Sequence, residues 1–326
     1  MKRKIIIIVS AVFILLASYI LYAFSAPTCD TYHFIVDLDD GYEDTGVLFL
    51  PSNYNDAGDP VRLIISCHGS GTVIDDDFEL SDKEWNYYLV EMGYAILDVN
   101  GGIESGRHYG SAEAIESYEK AYEYVVDNYN LKSEVFLLGG SMGGLSSLNL
   151  AVNTDIPVIA IAEMCPVVDL KNQAWCYPWY GGDDSEKWSI QRKAIAEIYS
   201  FDDINLFGGW YDNKEASDEE MKYFEKNIYK VQKYDPILNY QYFADNKLPI
   251  KVWQADTDPT VSSVYGKEFV HLIQTAGGIA EHQSYDIGGH TPPWDSQTVI
   301  SITKELKLDR TNKTFYDIYK WFKRWE

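Results

Sequence analysis

The stretch Val135-Phe-Leu-Leu-Gly-Gly-Ser-Met-Gly-Gly-Leu145 decides the fold. An apolar run leads into Gly139-Gly-Ser-Met-Gly143, and residues 145–152 carry a helical pattern. A Gly-x-Ser-x-Gly motif therefore stands at a sharp turn from strand to helix. A serine at the tip of so tight a turn needs Gly139 and Gly143 beside it, because a side chain at either would collide with the adjoining strand or helix. The turn lifts the Ser141 hydroxyl into the open. The N–H of Met142, at the start of the helix, points to where a carbonyl oxygen would become an oxyanion. Ser141 is thus a candidate nucleophile. Glycine-rich turns of this kind also serve as plain connections or phosphate cradles, so the rest of the chain must supply its partners.

Outward from this turn, strands and helices alternate. Residues 33–36 and 47–50 read as an opening meander. Arg62-Leu-Ile-Ile-Ser-Cys67, Tyr94-Ala-Ile-Leu-Asp98 and Val158-Ile-Ala-Ile-Ala162 are near-continuous apolar runs, as in strands buried on both faces of a parallel sheet. Residues 111–129 have helical periodicity, and Ile250-Lys-Val-Trp253 and residues 281–285 read as strands around a helix near 265–275. Final helices are expected over 299–306 and 315–325. The fold class implied is α/β, with a doubly wound, mostly parallel sheet. One stretch, 166–248, interrupts the alternation with 17 aromatic residues in 83, against 15% aromatic overall. It reads as a largely helical lid, with helices near 187–199 and 217–234, inserted over the carboxyl ends of the strands where ligands bind in such sheets. The core is then 27–165 with 249–326.

A serine nucleophile needs a base and a group to orient it. Of six histidines, His290 ends Ile287-Gly-Gly-His290 after the last expected strand, where glycines free the loop to carry an imidazole over the sheet edge. His271 and His282 fall within a helix and beside a strand and read as structural. Gln254-Ala-Asp-Thr-Asp-Pro-Thr-Val261 supplies two acids after the preceding strand. Asp258 takes the acid's place in a Gly-x-x-Asp-x-x-Val pattern, with Ala255 where the glycine usually stands, and Asp256 is the alternative. His68-Gly-Ser-Gly71 would offer a second oxyanion donor from the N–H of Ser70 or Gly69, with His68 holding the loop by a hydrogen bond. The candidates occur in the order Ser141, Asp258, His290.

These motifs together resemble the α/β-hydrolase superfamily, in its secreted esterase, prolyl-oligopeptidase-like and dienelactone-hydrolase-like branches. The resemblance implies acyl transfer to water through an acyl-enzyme, with no metal and no organic cofactor. The leading expectation is a carboxylic ester hydrolase acting on a small-molecule or carbohydrate ester, since Trp and Tyr in the lid could stack on sugar rings. The alternative is a small serine exopeptidase of the prolyl-oligopeptidase type, with Glu219-Glu220 as a carboxylate pair to grip an amino terminus. A third reading is a non-catalytic binding protein on a hydrolase fold, which has no need of an intact triad.

Composition bounds the partners. The chain of 326 residues is 46% hydrophobic and carries a formal charge of −23. So acidic a protein with no basic patch is a poor match to nucleic acid or an anionic membrane surface. Met1-Lys-Arg-Lys4 precedes an uncharged, mostly apolar run over 5–24. Residues 1–26 read either as a signal peptide or as an N-terminal membrane anchor, and both imply export of the body, secreted or held at the outer face of the cell membrane. Cys165 and Cys176 could pair in an oxidising compartment, whereas Cys67 sits in a buried strand as a small hydrophobe.

Overall fold

The computed structural model describes residues 29–80, 84–175, 195, 198–199, 222, 226–286, 289–290, 298–302 and 308–326. The apolar runs form strands as expected. β1 (Cys29–Asp37) and β2 (Glu43–Pro51) make an antiparallel pair, and β2 pairs antiparallel with β4 (Ala95–Val99). From β4 onward all neighbours are parallel: β3 (Val61–Cys67), β5 (Leu131–Gly140), β6 (Val158–Met164), β7 (Ile250–Ala255) and β8 (Ala280–Tyr285). The sheet order is β1-β2-β4-β3-β5-β6-β7-β8.

Period-2 alternation divides each central strand between two cores. Leu63 and Ile65 of β3 and Val135 and Leu137 of β5 face one side. There they meet α2 (Ala112–Asn128), α3 (Met142–Asn153) and α6 (Ser263–Thr275) through Tyr118, Leu148 and Phe269. Ile64, Phe136 and Leu138 face the other side. That layer is closed by α1 (Glu84–Glu91) and α7 (Lys313–Lys323), with Leu89 and Phe322 fully buried and Phe136 stacked on Phe322 at 4.4 Å. Both faces are covered, which is why these strands lack polar alternation. The parallel register also brings the carboxyl ends of β3, β5, β6, β7 and β8 to one edge, where the functional candidates follow.

An insertion joins β6 to β7. Its described parts are helical: α4 (Leu170–Trp175), 3-10 turns over Ile228–Lys230, Gln232–Tyr234 and Pro236–Asn239, and α5 (Tyr240–Asp245). Phe243 packs edge-on to Phe269 at 5.6 Å, and Tyr199 donates to the carbonyl of Tyr109 at 2.7 Å. Its two ends are tied together, with Ile237 N–H on the Val168 carbonyl and the Asp235 carboxylate accepting from the N–H groups of Leu170 and Lys171.

Three expectations change. The helix expected over 299–306 is replaced, in its described part, by β9 (Thr298–Ile302), paired antiparallel with β10 (Leu308–Asn312). Its run Thr298-Val-Ile-Ser-Ile302 is rich in β-branched side chains, which fit a pleated surface better than a helix. The segment expected as helix up to 234 ends in 3-10 turns, while most of 187–199 and 217–226 lies outside the described residues. The membrane anchor is corrected as well. Among the described residues no helix is long and apolar enough to cross a membrane, and residues 5–24, on which that expectation rested, lie outside them.

Asp235 generates a pH prediction. Burial, reinforced by the neighbouring Asp169, raises its pKa from 3.8 to about 7, against the N–H groups that favour its charge. Between these values the folded state binds a proton that the unfolded state has released, so stability falls as pH rises from about 4 to about 7 and this contribution is then spent. Melting curves across that window should decline less steeply for Asp235→Asn than for the wild type. Parallel curves would show that Asp235 ionises as readily in the folded protein as in the unfolded chain.

Candidate active site

The turn after β5 is built by close approach. Ser141 adopts φ 57° and ψ −120°, a left-handed conformation that costs a residue with a side chain about 1–3 kcal/mol. Its N–H donates to the Met164 carbonyl at 3.0 Å and its carbonyl accepts from Val167 N–H at 2.9 Å, so the end of β6 holds it on both sides. The glycines provide room rather than torsional freedom. A Cβ on Gly139 would stand 2.6 Å from the Gly143 carbonyl oxygen, and one on Gly143 would overlap the Cys67 carbonyl. Gly144 closes on Pro166 and on Glu163, whose Oε2 would lie 2.6 Å from an added Cβ.

The Ser141 hydroxyl lies 2.8 Å from His290 Nε2. The other ring nitrogen, Nδ1, is 3.1 and 3.2 Å from the two carboxylate oxygens of Asp258. An Nδ1–H donated to Asp258 leaves Nε2 as the acceptor facing Ser141. Asp258 is buried, and its Oδ1 also accepts from the N–H groups of Thr260 at 2.8 Å and Val261 at 3.0 Å, which fixes the carboxylate in its turn. Asp256, two residues earlier, points elsewhere: it pairs with Lys267 Nζ at 2.6 Å, and that bond holds its carboxyl below the usual range. For His290, burial works to lower the pKa, but Cys165 and Asp258 outweigh it and raise it, which favours the imidazolium that a neutral ring becomes once it takes a proton at Nε2. His282, on β8, moves the other way, to about 4, because burial dominates.

The loop after β3 leans on the same turn. His68 and Asp98 are fully buried and bonded, Nδ1 to Oδ1, at 3.1 Å, and Tyr118 donates to the same carboxylate oxygen at 2.8 Å. His108 sits edge-on to His68 at 4.9 Å. Thr72 N–H closes a turn onto the Gly69 carbonyl at 3.2 Å, and a Cβ on Gly69 would be 3.8 Å from that of Ser141. The backbone of Gly69 thus lies beside the Ser141 side chain. Met142 opens α3, so its N–H is one of the first-turn donors that have no partner within a helix.

The sequence reading missed Glu163 altogether, and it missed the place of Cys165 at this site. Glu163 is fully buried near the end of β6, where it accepts from Ser147 Oγ. Burial pushes its carboxyl well above the ordinary range. An acid in the otherwise apolar run 158–164 was the available signal. Cys165 carries a free thiol beside Asp258 and His290. Cys176, Glu219, Glu220 and residues 287–288 lie outside the described residues.

Gly143→Ala tests the close approach. The added methyl must displace the carbonyls of Cys67 and His68, and with them the loop beside Ser141. A shift of about 1 Å there should lower kcat/KM by about 100-fold in a protein whose circular dichroism is unchanged. Normal rates would mean that the turn tolerates the bulk.

Comparison with known proteins adds the lineage. The BD-FAE family matches residues 48–272, which include Ser141 and Asp258 and stop before His290. No curated protein matches the chain. Among solved structures, the Pyrococcus horikoshii acylaminoacyl peptidase superposes with a TM-score of 0.59 at 16% identity, over 94% of this chain and 43% of that one. A Mycobacterium tuberculosis puromycin-hydrolyzing peptidase gives a TM-score of 0.56 at 19% identity, over 81% and 36%. The chain therefore spans less than half the length of either peptidase, and at such identities the likeness is one of fold. The fold with its serine turn and the family match over most of the chain lead to one conclusion: this protein is a member of the BD-FAE family, on an α/β-hydrolase fold.

Proposed function

We propose that the protein is a serine hydrolase that transfers an acyl group to water through an acyl-enzyme at Ser141. One contact carries the reading, the 2.8 Å hydrogen bond between Ser141 Oγ and His290 Nε2 in a ring whose Nδ1 faces buried Asp258. In the first step the Oγ–C bond forms, the Ser141 proton passes to Nε2, and the carbonyl electron pair moves onto oxygen. The N–H groups of Met142 and of Ser70 or Gly69 receive that charge. His290 then gives its proton to the leaving group as the bond to it breaks, and water repeats the sequence against the acyl-enzyme. Asp258 keeps the ring in its working tautomer and stabilises the imidazolium. Each step balances with these groups alone.

For the acyl donor we favour a small aminoacyl or peptide amide, cleaved beneath a lid formed by 166–248. The support is the fold shared with two peptidases over most of this chain. This reverses the order that the sequence suggested. A carboxylic ester, an acylated carbohydrate among them, is the second reading, and membership of the BD-FAE family favours it.

Turnover of aminoacyl and prolyl p-nitroanilides, beside p-nitrophenyl esters from acetate to octanoate, separates the two. The amide reading predicts nitroanilide cleavage, lowered about 1,000-fold or more by Ser141→Ala. Ester cleavage without nitroanilide cleavage would move the assignment to the second reading. A folded wild type that turns over neither would overturn both.

A further inference from the structure

The acyl-transfer scheme leaves one side chain at its centre without a task. Cys165 follows β6 with its backbone in the left-handed region (φ 43°), and its N–H is tied to the Trp253 carbonyl at 2.9 Å. Its Sγ, a carboxylate oxygen of Asp258 and a ring nitrogen of His290 all lie within 4.8 Å of one another. Among the described residues, these are the three whose donor atoms converge closely enough to hold a metal ion. Cys165 and Asp258 are buried, but the His290 side chain is 27% exposed, which leaves a way in from solvent.

Thiolate, imidazole and carboxylate suit a borderline-soft divalent ion such as Zn²⁺. Nitrogen and oxygen bound at about 2.0–2.1 Å to a tetrahedral ion stand about 3.3 Å apart. His290 Nδ1 and the Asp258 oxygens are already 3.1 and 3.2 Å apart. Sulfur, bound at about 2.3 Å, stands about 3.5 Å from each, so a side-chain shift of about 1 Å completes the set.

We propose that Cys165, Asp258 and His290 form a latent site for Zn²⁺ or a similar soft divalent ion, and that filling it switches the hydrolase off. Binding follows from the geometry, whereas its consequence rests on the serine-hydrolase reading. The ion takes the place of the proton between Nδ1 and Asp258. The thiol loses its proton to solvent, the ring proton moves from Nδ1 to Nε2, and the fourth position keeps a water. A neutral imidazole bound through Nδ1 then donates at Nε2. It can no longer accept the Ser141 proton, and chelation of the ion restores it.

Cd²⁺ titration of the full chain, followed by thiolate-to-metal ultraviolet absorption, reads the site without turnover. The Ser141→Ala variant should keep the wild-type band, and Cys165→Ser should lose the part contributed by this thiolate. His290→Ala, which leaves the strained residue after β6 untouched, should weaken binding at least tenfold. In parallel, Zn²⁺ should inhibit turnover reversibly by chelator. Half-inhibition should need at least tenfold more Zn²⁺ in Cys165→Ser, measured against that variant's own metal-free rate. An unchanged Cd²⁺ band in both Cys165→Ser and His290→Ala would overturn the site, and equal Zn²⁺ sensitivity would overturn the switch. A Cys165-dependent band in a chain that turns over nothing would support the site and count against the hydrolase reading alone.

Discussion

The strained backbone of Ser141 is the constraint on which the rest of the site depends. A side chain at φ 57° and ψ −120° persists only where its surroundings leave no alternative. Here the surroundings are the ends of three adjacent parallel strands. The Met164 carbonyl and Val167 N–H hold the residue from β6, the Cys67 carbonyl crowds Gly143 from β3, and Gly139 and Gly143 remove the side chains that would push the strand and helix apart. Sheet register therefore sets the position of the hydroxyl, and the same register delivers Asp258 and His290 from the ends of β7 and β8. A loop could not hold these atoms so closely without that edge.

Buried acids are handled differently around this edge, and the differences follow their roles. Asp258 accepts two backbone N–H groups as well as the imidazole, which fixes its carboxylate in place for the role proposed above. Asp98 is satisfied by His68 and Tyr118 and so anchors the loop that lies against the serine. Glu163 accepts from the Ser147 hydroxyl beneath α3, and burial pushes its carboxyl well above the ordinary range. Asp235 joins the two ends of the insertion through the N–H groups of α4.

Much of this was legible in the sequence. The Gly-x-Ser-x-Gly turn, the apolar runs and the late glycine-rich loop before His290 each express a local requirement, and local requirements survive in single residues. The parallel core was readable because strands buried on both faces need continuous apolar runs. Residues 298–302 misled because a pattern near them, ending in Lys-Glu-Leu, mimics a helix, while the strand depends on pairing with residues 308–312. Cys165 was read through its neighbour in sequence, Cys176, whereas its neighbours in space come from the turn after β7 and from the loop after β8. Contacts of that kind leave no local trace. The choice between Asp256 and Asp258 rested on a pattern with a missing glycine. The geometry separates them by partner, Lys267 for one and His290 for the other.

The most direct measurement is reaction of the folded chain with a fluorophosphonate, followed by mass spectrometry of its peptides. Here the account predicts a single adduct on Ser141, formed far more slowly once His290 is changed to alanine. A folded protein that stays unlabelled, or carries its adduct on another residue, would contradict it.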